Sequence, residues 1–288
     1  MPSFLSLIAL FLTLGAVLWT EPAWAEPCAM RELPGGVVEE VIDGDTARLA
    51  DGREIRFVGI QAPKLPLGRK GFMPWPLAEE ARAAAAELML GKDVALRVDG
   101  RSVDRHGRVL AHLFVGEEKI WVQRALVEQG WARVYSFADN YGCTLELLEV
   151  EGEARRALRG IWAHPFYAVR SADDLKKLEG LTGSFQLIEG EVIDVSYVKS
   201  KLYMNFAHNW RRDFTVTITK RDLRRFGPGK PVPDMLAALK GGVIRVRGWL
   251  RDRNGPEIVL THPEQIEVLM LPGAPPALPQ TEEDEPGE

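Results

Sequence analysis

The chain has 288 residues with 46% hydrophobic and 27% charged side chains, which is typical of a globular protein with one large or two small domains. This composition excludes a collagen-like or wholly disordered chain. The formal net charge of −5 argues against a uniformly basic nucleic-acid binder. The charge is uneven, however, because Lys and Arg outnumber Asp and Glu in residues 183–270 and the last eight residues are acidic.

The amino terminus has the pattern of a signal peptide, predicted over residues 1–25. Residues 3–19 are almost wholly apolar, and Ala23-Trp24-Ala25 has the small-x-small spacing of a signal-peptidase site. An uncleaved anchor is the alternative, but the apolar run is short for a bilayer span of about 20 residues. We therefore predict an exported protein, periplasmic or secreted, without stable membrane insertion after cleavage.

Strands and helices alternate through the first half of the chain. Asp51-Gly52 between two apolar runs predicts a hairpin, and Gly91 and Gly130 end two helical patterns. The order favours a small β-barrel with packed helices, as one domain over residues 36–165. After an irregular lead-in over 26–35, we predict strands within 36–60, 93–98 and 108–115, and helices over 77–90, 123–129 and 142–158.

A second β-rich unit is predicted over residues 184–270, after a linker over 166–183. Its five strands, with a helix over 233–239 after the third, follow the order of an OB-fold, a small five-stranded barrel. Residues 271–288 are rich in Pro and then in acids, which predicts a disordered acidic tail. The predicted fold class is therefore mainly β with helices, as two small OB-type barrels in tandem.

Five short motifs follow one another through the first unit: VIDGDT at 41–46, IRFVGI at 55–60 followed by Ala62-Pro63, DRHGR at 104–108, ALVEQG at 125–130 and GIW at 160–162. In this order and spacing they resemble the motifs of the staphylococcal-nuclease-like (thermonuclease) family. The resemblance implies an OB-type barrel that hydrolyses DNA and RNA phosphodiesters with calcium. In the family pattern, two aspartates and a backbone carbonyl hold the metal, a glutamate activates water, and two arginines clamp the phosphate.

Only part of this catalytic set stands at the matching positions. Asp45 matches the first metal aspartate, and Arg56 and Arg108 match the phosphate arginines, whose guanidinium forks suit phosphoryl oxygens. Gln61 replaces the second metal aspartate and offers no charge, while Lys64 replaces the glutamate base. A lysine is normally protonated at neutral pH, so it cannot accept a proton and it repels a nearby cation. Phosphate binding is therefore predicted to persist, with calcium binding weakened and hydrolysis impaired.

The sequence leaves other interpretations of these residues open. Lys64 could point away from the site while Glu79 or Glu80 on the next helix serves as the base. Burial could also lower the pKa of Lys64 enough to make it a base itself. The two arginines, Arg56 and Arg108, could instead form ordinary surface ion pairs.

Aromatic and basic residues offer further candidate contacts for nucleic acid. Tyr135 lies near the place where the family sets aromatic rings against the nucleotide, and core packing is the alternative. OB-folds stack bases on aromatic side chains of the second and third strands. The candidates around those strands of the second unit, for which packing inside or between the barrels is the alternative, are Tyr203, Phe206, Trp210, Arg211 and Arg212.

The two cysteines of the chain, Cys28 and Cys143, are predicted to form a disulfide. Export permits oxidation, and no third cysteine competes for either thiol. A covalent bond to the start of the long helix over 142–158 would also fix the lead-in segment to the barrel.

The favoured function is an exported nuclease-like protein that binds nucleic acid or another phosphodiester through an arginine clamp, with weak or altered hydrolysis. One alternative is an active calcium-dependent endonuclease with a rearranged site. The other is an envelope scaffold or interaction protein, whose barrels bind protein or glycan. The sequence identifies no protein partner and does not distinguish DNA from RNA.

Overall fold

The computed structural model describes residues 28–227 and 232–273. The predicted signal peptide over 1–25 and the tail from residue 274 onward lie outside these residues. Among the described residues, no helix is long and apolar enough to cross a membrane.

The first unit is a closed five-stranded barrel with three helices. Its elements are β1 (Arg31–Asp43), β2 (Thr46–Leu49), β3 (Glu54–Phe57), β4 (Ile60–Gln61), α1 (Ala78–Met89), β5 (Asp93–Val98), β6 (Val109–Val115), β7 (Ile120–Trp121), α2 (Val122–Glu128), β8 (Arg133–Val134) and α3 (Thr144–Arg156). The long strand β1 pairs with β5 through its first half and with β2 through its second half. Because β3 also pairs in parallel with β6, the order β1-β2-β3-β6-β5 returns to β1 and closes the barrel.

Side-chain alternation explains how these strands build the core. Ile55 and Phe57 of β3 are buried, and the intervening Arg56 points to the other face because successive strand residues face opposite sides. On α1, Ala81 and Ala85 lie four residues apart on one face and are fully buried against the barrel. The strands and helices predicted for this unit are therefore present. The expected irregular lead-in over 26–35 is wrong from Arg31 onward, because that segment pairs with β5.

The second unit follows the same strand order. Its elements are β9 (Arg170–Ser171), α4 (Leu175–Glu179), β10 (Phe185–Glu191), β11 (Asp194–Val198), β12 (Lys201–Asn205), β13 (Thr215–Thr219), α5 (Lys220–Leu223), α6 (Val232–Ala237), β14 (Val243–Asp252), β15 (Pro256–Leu260) and β16 (Ile266–Met270). The run β10–β11 corresponds to the long first strand, since β11 pairs with β12 and β10 pairs with β14. Between them the sheet continues through β13, which pairs in parallel with β15, and β15 pairs with β14. The mainly β architecture of two barrel-like units is confirmed.

The segment predicted as a linker, 166–183, is built into the second unit. β9 pairs in parallel with β10, and Leu178 of α4 is fully buried in the second core. The prediction of a plain linker is wrong here, because the pattern of a five-residue helix and a two-residue strand is too short to recognise in sequence.

A buried ion network joins the two barrels. Arg247 on β14 is 1% exposed and donates to both carboxylate oxygens of Glu151 on α3, at 3.2 and 2.7 Å. Arg247 also pairs with Glu267 on β16 and donates to the carbonyl of Val134 at 3.2 Å. Glu151 also contacts β8 directly, because its Oε1 accepts a hydrogen bond from Val134 N at 2.7 Å. The second barrel therefore holds β8 of the first barrel in place.

The residues that follow β8 also contact the second barrel. The Tyr135 hydroxyl accepts a hydrogen bond from Trp249 Nε1 at 2.9 Å, and its ring packs edge-on against Phe185 with centroids 4.8 Å apart. Ser136 Oγ lies 2.7 Å from Nε2 of His262, which is 1% exposed. Residues 133–136 are thus fixed between the two units.

Because His262 is buried at this interface, we expect the protein to lose stability in mild acid. Burial, together with the charge of Arg225, lowers the pKa of His262 to about 4. As pH falls from about 6.5 to about 4, the unfolded chain therefore gains a proton at this histidine that the folded protein does not. The free energy of unfolding is expected to fall across that window by at most about 3 kcal/mol. Urea unfolding at several pH values should show this slope, and His262→Asn should remove it; an unchanged slope in the variant would contradict the assignment.

A disulfide joins Cys28 to Cys143, with the two Cα atoms 5.1 Å apart. It attaches the segment before β1 to the residue that precedes α3. Asp99 and His112 lie beside Cys143, with one potential metal-ligand atom from each of the three residues within 4.8 Å of the others. The sulfur of Cys143 is bonded to Cys28, so it is not available to a metal as a thiolate.

Candidate functional site: a basic cavity on the first barrel

The tight turn between β1 and β2 places Asp45 at the base of the site. A Cβ atom on Gly44 would lie 2.6 Å from that of Ala62 and 3.1 Å from that of Ala81 on α1, so only glycine allows this close approach. The approach buries Asp45 completely, and its Oδ2 accepts a hydrogen bond from Ala62 N at 2.8 Å. Asp43 Oδ1 accepts from Asp45 N at 3.0 Å and closes the turn.

Lys64 points into the site and pairs directly with Asp45. Its Nζ lies 2.6 and 2.5 Å from the two carboxylate oxygens of Asp45 and 3.5 Å from Asp43 Oδ2. Burial alone would raise the pKa of Asp45, but the charges of Arg56 and Lys64 hold it below its ordinary value. For Asp43, burial and the charge of Asp45 raise the pKa. The orientation away from the site that the sequence left open for Lys64 is therefore wrong.

Gln61 is held by a buried arginine that sequence reasoning missed. Gln61 on β4 pairs with Arg133 on β8, and its Oε1 accepts from Nε and Nη2 of Arg133 at 3.0 and 2.7 Å. Arg133 is 4% exposed, and burial lowers its pKa to about 10, so it remains charged at neutral pH. Its guanidinium lies 4.8 Å from the ring centroid of Phe185 in the second barrel. The amide oxygen of Gln61 is thus already satisfied by two donors.

Arg56 and Arg108 line the same cavity, but both have partners within the protein. Arg56 donates to the carbonyls of Phe57 and Ile60 and lies 3.3 Å from Asp45 Oδ2, with 13% of its side chain exposed. Arg108 donates through Nε to Asp104 Oδ2 at 2.8 Å, and its side chain is 31% exposed. Hydrogen bonds from Arg108 and from backbone amides lower the pKa of Asp104 against the effect of burial, so the pair remains ionised at neutral pH. A phosphate would compete with Asp104 for Arg108.

The cavity that these side chains share is basic. It encloses about 590 Å³, which is a size typical of ligand-binding sites. Six cations and three carboxylates line it, and because Lys64 also pairs with the buried Asp45 beneath, an excess of two positive charges remains. Within the described part of the chain, Arg101 and Arg105 form no ion pair with a carboxylate, and Arg69 donates to backbone carbonyls. The cations are Arg56, Lys64, Arg69, Arg101, Arg105 and Arg108, and the acids are Asp43, Asp104 and Asp139.

Two aromatic rings form one wall of the cavity. Tyr135 and Phe137 both line it, with their rings packed edge-on and their centroids 4.7 Å apart. Phe137 is half exposed, whereas Tyr135 is held from behind by the second barrel. Tyr135 thus lines the same cavity as Arg56 and Arg108, and its contact with nucleic acid stays a prediction.

The remaining sequence candidates lie elsewhere, on the second barrel. Tyr203 and Trp210 line a separate groove, and Arg211 stacks over the Trp210 ring with its guanidinium 4.1 Å from the centroid. Arg212 is exposed, but it does not line that groove. The nucleic-acid role predicted for Phe206 is wrong, because this residue is 5% exposed and packs on Phe214 in the core.

The calcium ion implied by the family pattern does not fit these side chains as they are arranged. Calcium prefers negatively charged and carbonyl oxygens. Both carboxylate oxygens of Asp45 contact the Lys64 ammonium, and the Gln61 oxygen accepts two hydrogen bonds from Arg133. The lysine nitrogen therefore takes the cation position on Asp45.

Neither Glu79 nor Glu80 at the start of α1 replaces the missing base. Glu79 and Glu80 are exposed, Glu79 pairs with Arg82 on the same helix, and the residues that line the cavity include neither glutamate. The rescue of catalysis by these glutamates is therefore not supported by the geometry.

The first unit is an OB-type barrel with a basic, aromatic-walled cavity above a buried aspartate, and comparison with known proteins places it among nuclease-like domains. The family described as "Staphylococcal nuclease homologue" matches residues 54–164. A thermonuclease from Staphylococcus hyicus is 27% identical over 130 residues, which are 44% of this chain and 75% of that protein. A micrococcal nuclease from Shigella flexneri is 29% identical over 156 residues, 50% of this chain and 78% of that protein.

A third relative is a much longer protein. Ribonuclease TUDOR 1 from Arabidopsis thaliana is 29% identical over 116 residues, which are 38% of this chain and 11% of that larger protein. These three relatives have nuclease names, and the family match falls within the first barrel. The first barrel is therefore similar to the staphylococcal-nuclease-like family.

Proposed function

We propose that the first barrel binds nucleic acid or another phosphodiester in its basic cavity without a calcium ion, and that it hydrolyses the phosphodiester weakly. The observation that carries this proposal is the contact of Lys64 Nζ with both carboxylate oxygens of Asp45. An internal ammonium neutralises the aspartate, so the cavity keeps its excess of positive charge with no bound metal.

The chemistry of the cavity supports a phosphodiester ligand. Phosphate oxygens prefer charged guanidinium donors, and Arg101 and Arg105 are exposed at the cavity without carboxylate partners among the described residues. The half-exposed ring of Phe137 adds an apolar surface on which a base can stack. Charge and stacking together favour a nucleic-acid strand over a small inorganic anion.

We infer weak hydrolysis because Lys64 stands where the family has its glutamate base, and two of the lining carboxylates already have partners. Asp43 accepts a hydrogen bond from Asp45 N and faces Lys64, while Asp104 is paired with Arg108. A general base must reach the attacking water with a free lone pair. We therefore expect the barrel to bind a phosphodiester but to hydrolyse it slowly.

We also propose that the protein is exported. The apolar segment before Ala25 has the pattern of a signal peptide, and disulfides persist in oxidising compartments outside the cytoplasm. The bond between Cys28 and Cys143 supports this location.

Binding of a short single-stranded oligonucleotide is expected to be equal in calcium and in a chelator. Arg108→Ala should weaken it by roughly 1.5–3 kcal/mol, because a charge-assisted hydrogen bond to phosphate is lost. Arg56→Ala should weaken it similarly, although this residue also holds the carbonyls of Phe57 and Ile60. Fluorescence anisotropy of a labelled strand measures these affinities.

The matched control is Arg82→Ala, an exposed arginine on α1 that pairs with Glu79 outside the cavity. Its affinity should equal that of the unmodified protein. Affinity that requires calcium, or that stays unchanged in both cavity variants, would refute the proposed binding mode. Robust release of acid-soluble nucleotides only when calcium is present would favour an active calcium-dependent endonuclease instead.

A further inference from the structure

The outer face of the second barrel carries a groove that the proposed phosphodiester site does not use. The groove encloses about 500 Å³ across β11, β12 and β13 and beside the β14–β15 loop. Alternate residues of these strands face outward, while Leu202, Met204 and Val216 between them are fully buried in the core. OB-folds bind oligonucleotides or oligosaccharides on this face of their second and third strands.

The charge of the groove argues against an oligonucleotide. Two cations and two carboxylates line it, so its formal charge is zero. Lys201 Nζ lies 2.8 Å from Glu257 Oε1, and Asp194 pairs with Lys240 at 2.9 Å. Nucleic-acid affinity depends on cations that neutralise phosphates, which the cavity of the first barrel offers and this groove does not.

The neutral side chains of the groove suit a ligand rich in hydroxyl groups. Five hydroxyl or amide side chains line it: Ser196, Asn205, Thr215, Thr217 and Asn254. Such groups both donate and accept hydrogen bonds without a charge requirement. Tyr203 and Trp210 lie among them, and Trp210 is 53% exposed. Aromatic faces pack against the C–H faces of sugar rings, while the surrounding polar groups pair with the sugar hydroxyls.

The floor of the groove is already ordered. Thr217 and Glu257 are 1% and 3% exposed, although they lie on the outer face of the sheet. Thr217 Oγ1 donates to Glu257 Oε1 at 2.7 Å, and Lys201 donates to the same oxygen. A fixed hydrogen-bonded floor lowers the entropy that binding would otherwise cost. We propose that this groove binds a neutral oligosaccharide.

The test titrates the purified protein with cellotetraose, maltotetraose and tetra-N-acetylchitotetraose by calorimetry and tryptophan fluorescence. At least one of them should bind with an affinity that does not depend on salt. Trp210→Ala should weaken this binding by about tenfold through the lost aromatic contact. Asn205→Ala provides a second variant at the groove. Tyr197→Ala is the matched control, because Tyr197 is a 48% exposed aromatic residue on β11 that does not line the groove.

Three outcomes would overturn the proposal. The first is that none of the three tetrasaccharides binds. The second is that both Trp210→Ala and Asn205→Ala bind the tetrasaccharide as strongly as the unmodified protein does. The third is that a thymidine oligonucleotide binds with a steep salt dependence that Trp210→Ala removes and Arg108→Ala does not, which would assign the groove to nucleic acid. Arg108 lines the first-barrel cavity and not the groove, so Arg108→Ala distinguishes binding at the phosphodiester site from binding at the groove.

Discussion

Replacing Arg247 by alanine is expected to lower the free energy of unfolding by about 3–5 kcal/mol, because the fully buried carboxylate of Glu151 loses its main charged partner. Glu151 is fully buried and accepts three charged hydrogen bonds, two from Arg247 at 3.2 and 2.7 Å and one from Arg155 at 3.4 Å. Urea unfolding of the purified protein measures the loss. Arg251→Ala is the matched control, since Arg251 lies on the same strand but is exposed, and its effect should stay within about 0.5 kcal/mol.

A compensated variant separates the cost of a buried charge from the loss of packing. Arg247→Met with Glu151→Gln removes both charges, and the amide oxygen of the new glutamine can still accept from Val134 N. This double variant should recover a large part of the lost stability, because neutral replacement of a buried ion pair is often tolerated. Equal stability of Arg247→Ala and the unmodified protein would show that the network does not hold the barrels together.

The ion network around Arg247 predicts a second loss of stability, at lower pH than the loss due to His262. Burial alone would raise the pKa of Glu267, but the charges of Arg247, Arg155 and Arg245 lower it to about 2. The stability from these ion pairs is therefore present above the unfolded pKa of about 4.5 and is lost as pH falls towards 2. This window lies below that of His262, so the two contributions can be resolved in one pH series.

Much of the architecture was predictable from sequence because local patterns encode it. The Asp51-Gly52 hairpin, the glycine-ended helices and the alternation around Arg56 each depend on neighbouring residues only. β9, α4 and β16 were missed, since they are short and form by pairing with distant segments. The repeated strand order of the two barrels was predictable from the element order, although their sequences show no repeat.

The site was predictable only where the family motifs determine it. Those motifs assigned Asp45, Arg56 and Arg108, and all three contact or line one cavity. Arg133 was not predictable, because its hydrogen bonds to Gln61 cross 72 residues of sequence. The orientation of Lys64 was open for a similar reason: the side chain responds to the field of the buried Asp45, which depends on how closely the Gly44 turn approaches α1.

The largest functional change is expected from Lys64→Glu combined with Gln61→Asp, which should raise calcium-dependent cleavage of DNA by about a hundredfold or more. The first substitution removes the ammonium from both oxygens of Asp45 and supplies a carboxylate as a base. The second adds an anionic oxygen, but Arg133 lies at hydrogen-bonding distance from that position and competes for it. Lys64→Glu alone should therefore give most of the gain, measured as release of acid-soluble nucleotides.

Calcium binding can be read independently of cleavage, because a ligand that binds the folded state raises its melting temperature. Calcium should leave the melting temperature of the unmodified protein unchanged and raise that of the Lys64→Glu variant, in which Asp43, Asp45 and the new glutamate repel one another without a cation. Lys64→Gln frees Asp45 but supplies no base, so it should gain part of the calcium stabilisation and little cleavage. Lys70→Glu, at an exposed lysine of the same loop, controls for the change in net charge and should gain neither. Strong calcium-dependent cleavage by the unmodified protein would contradict the whole assignment, because it would require Lys64 to leave Asp45 at little cost.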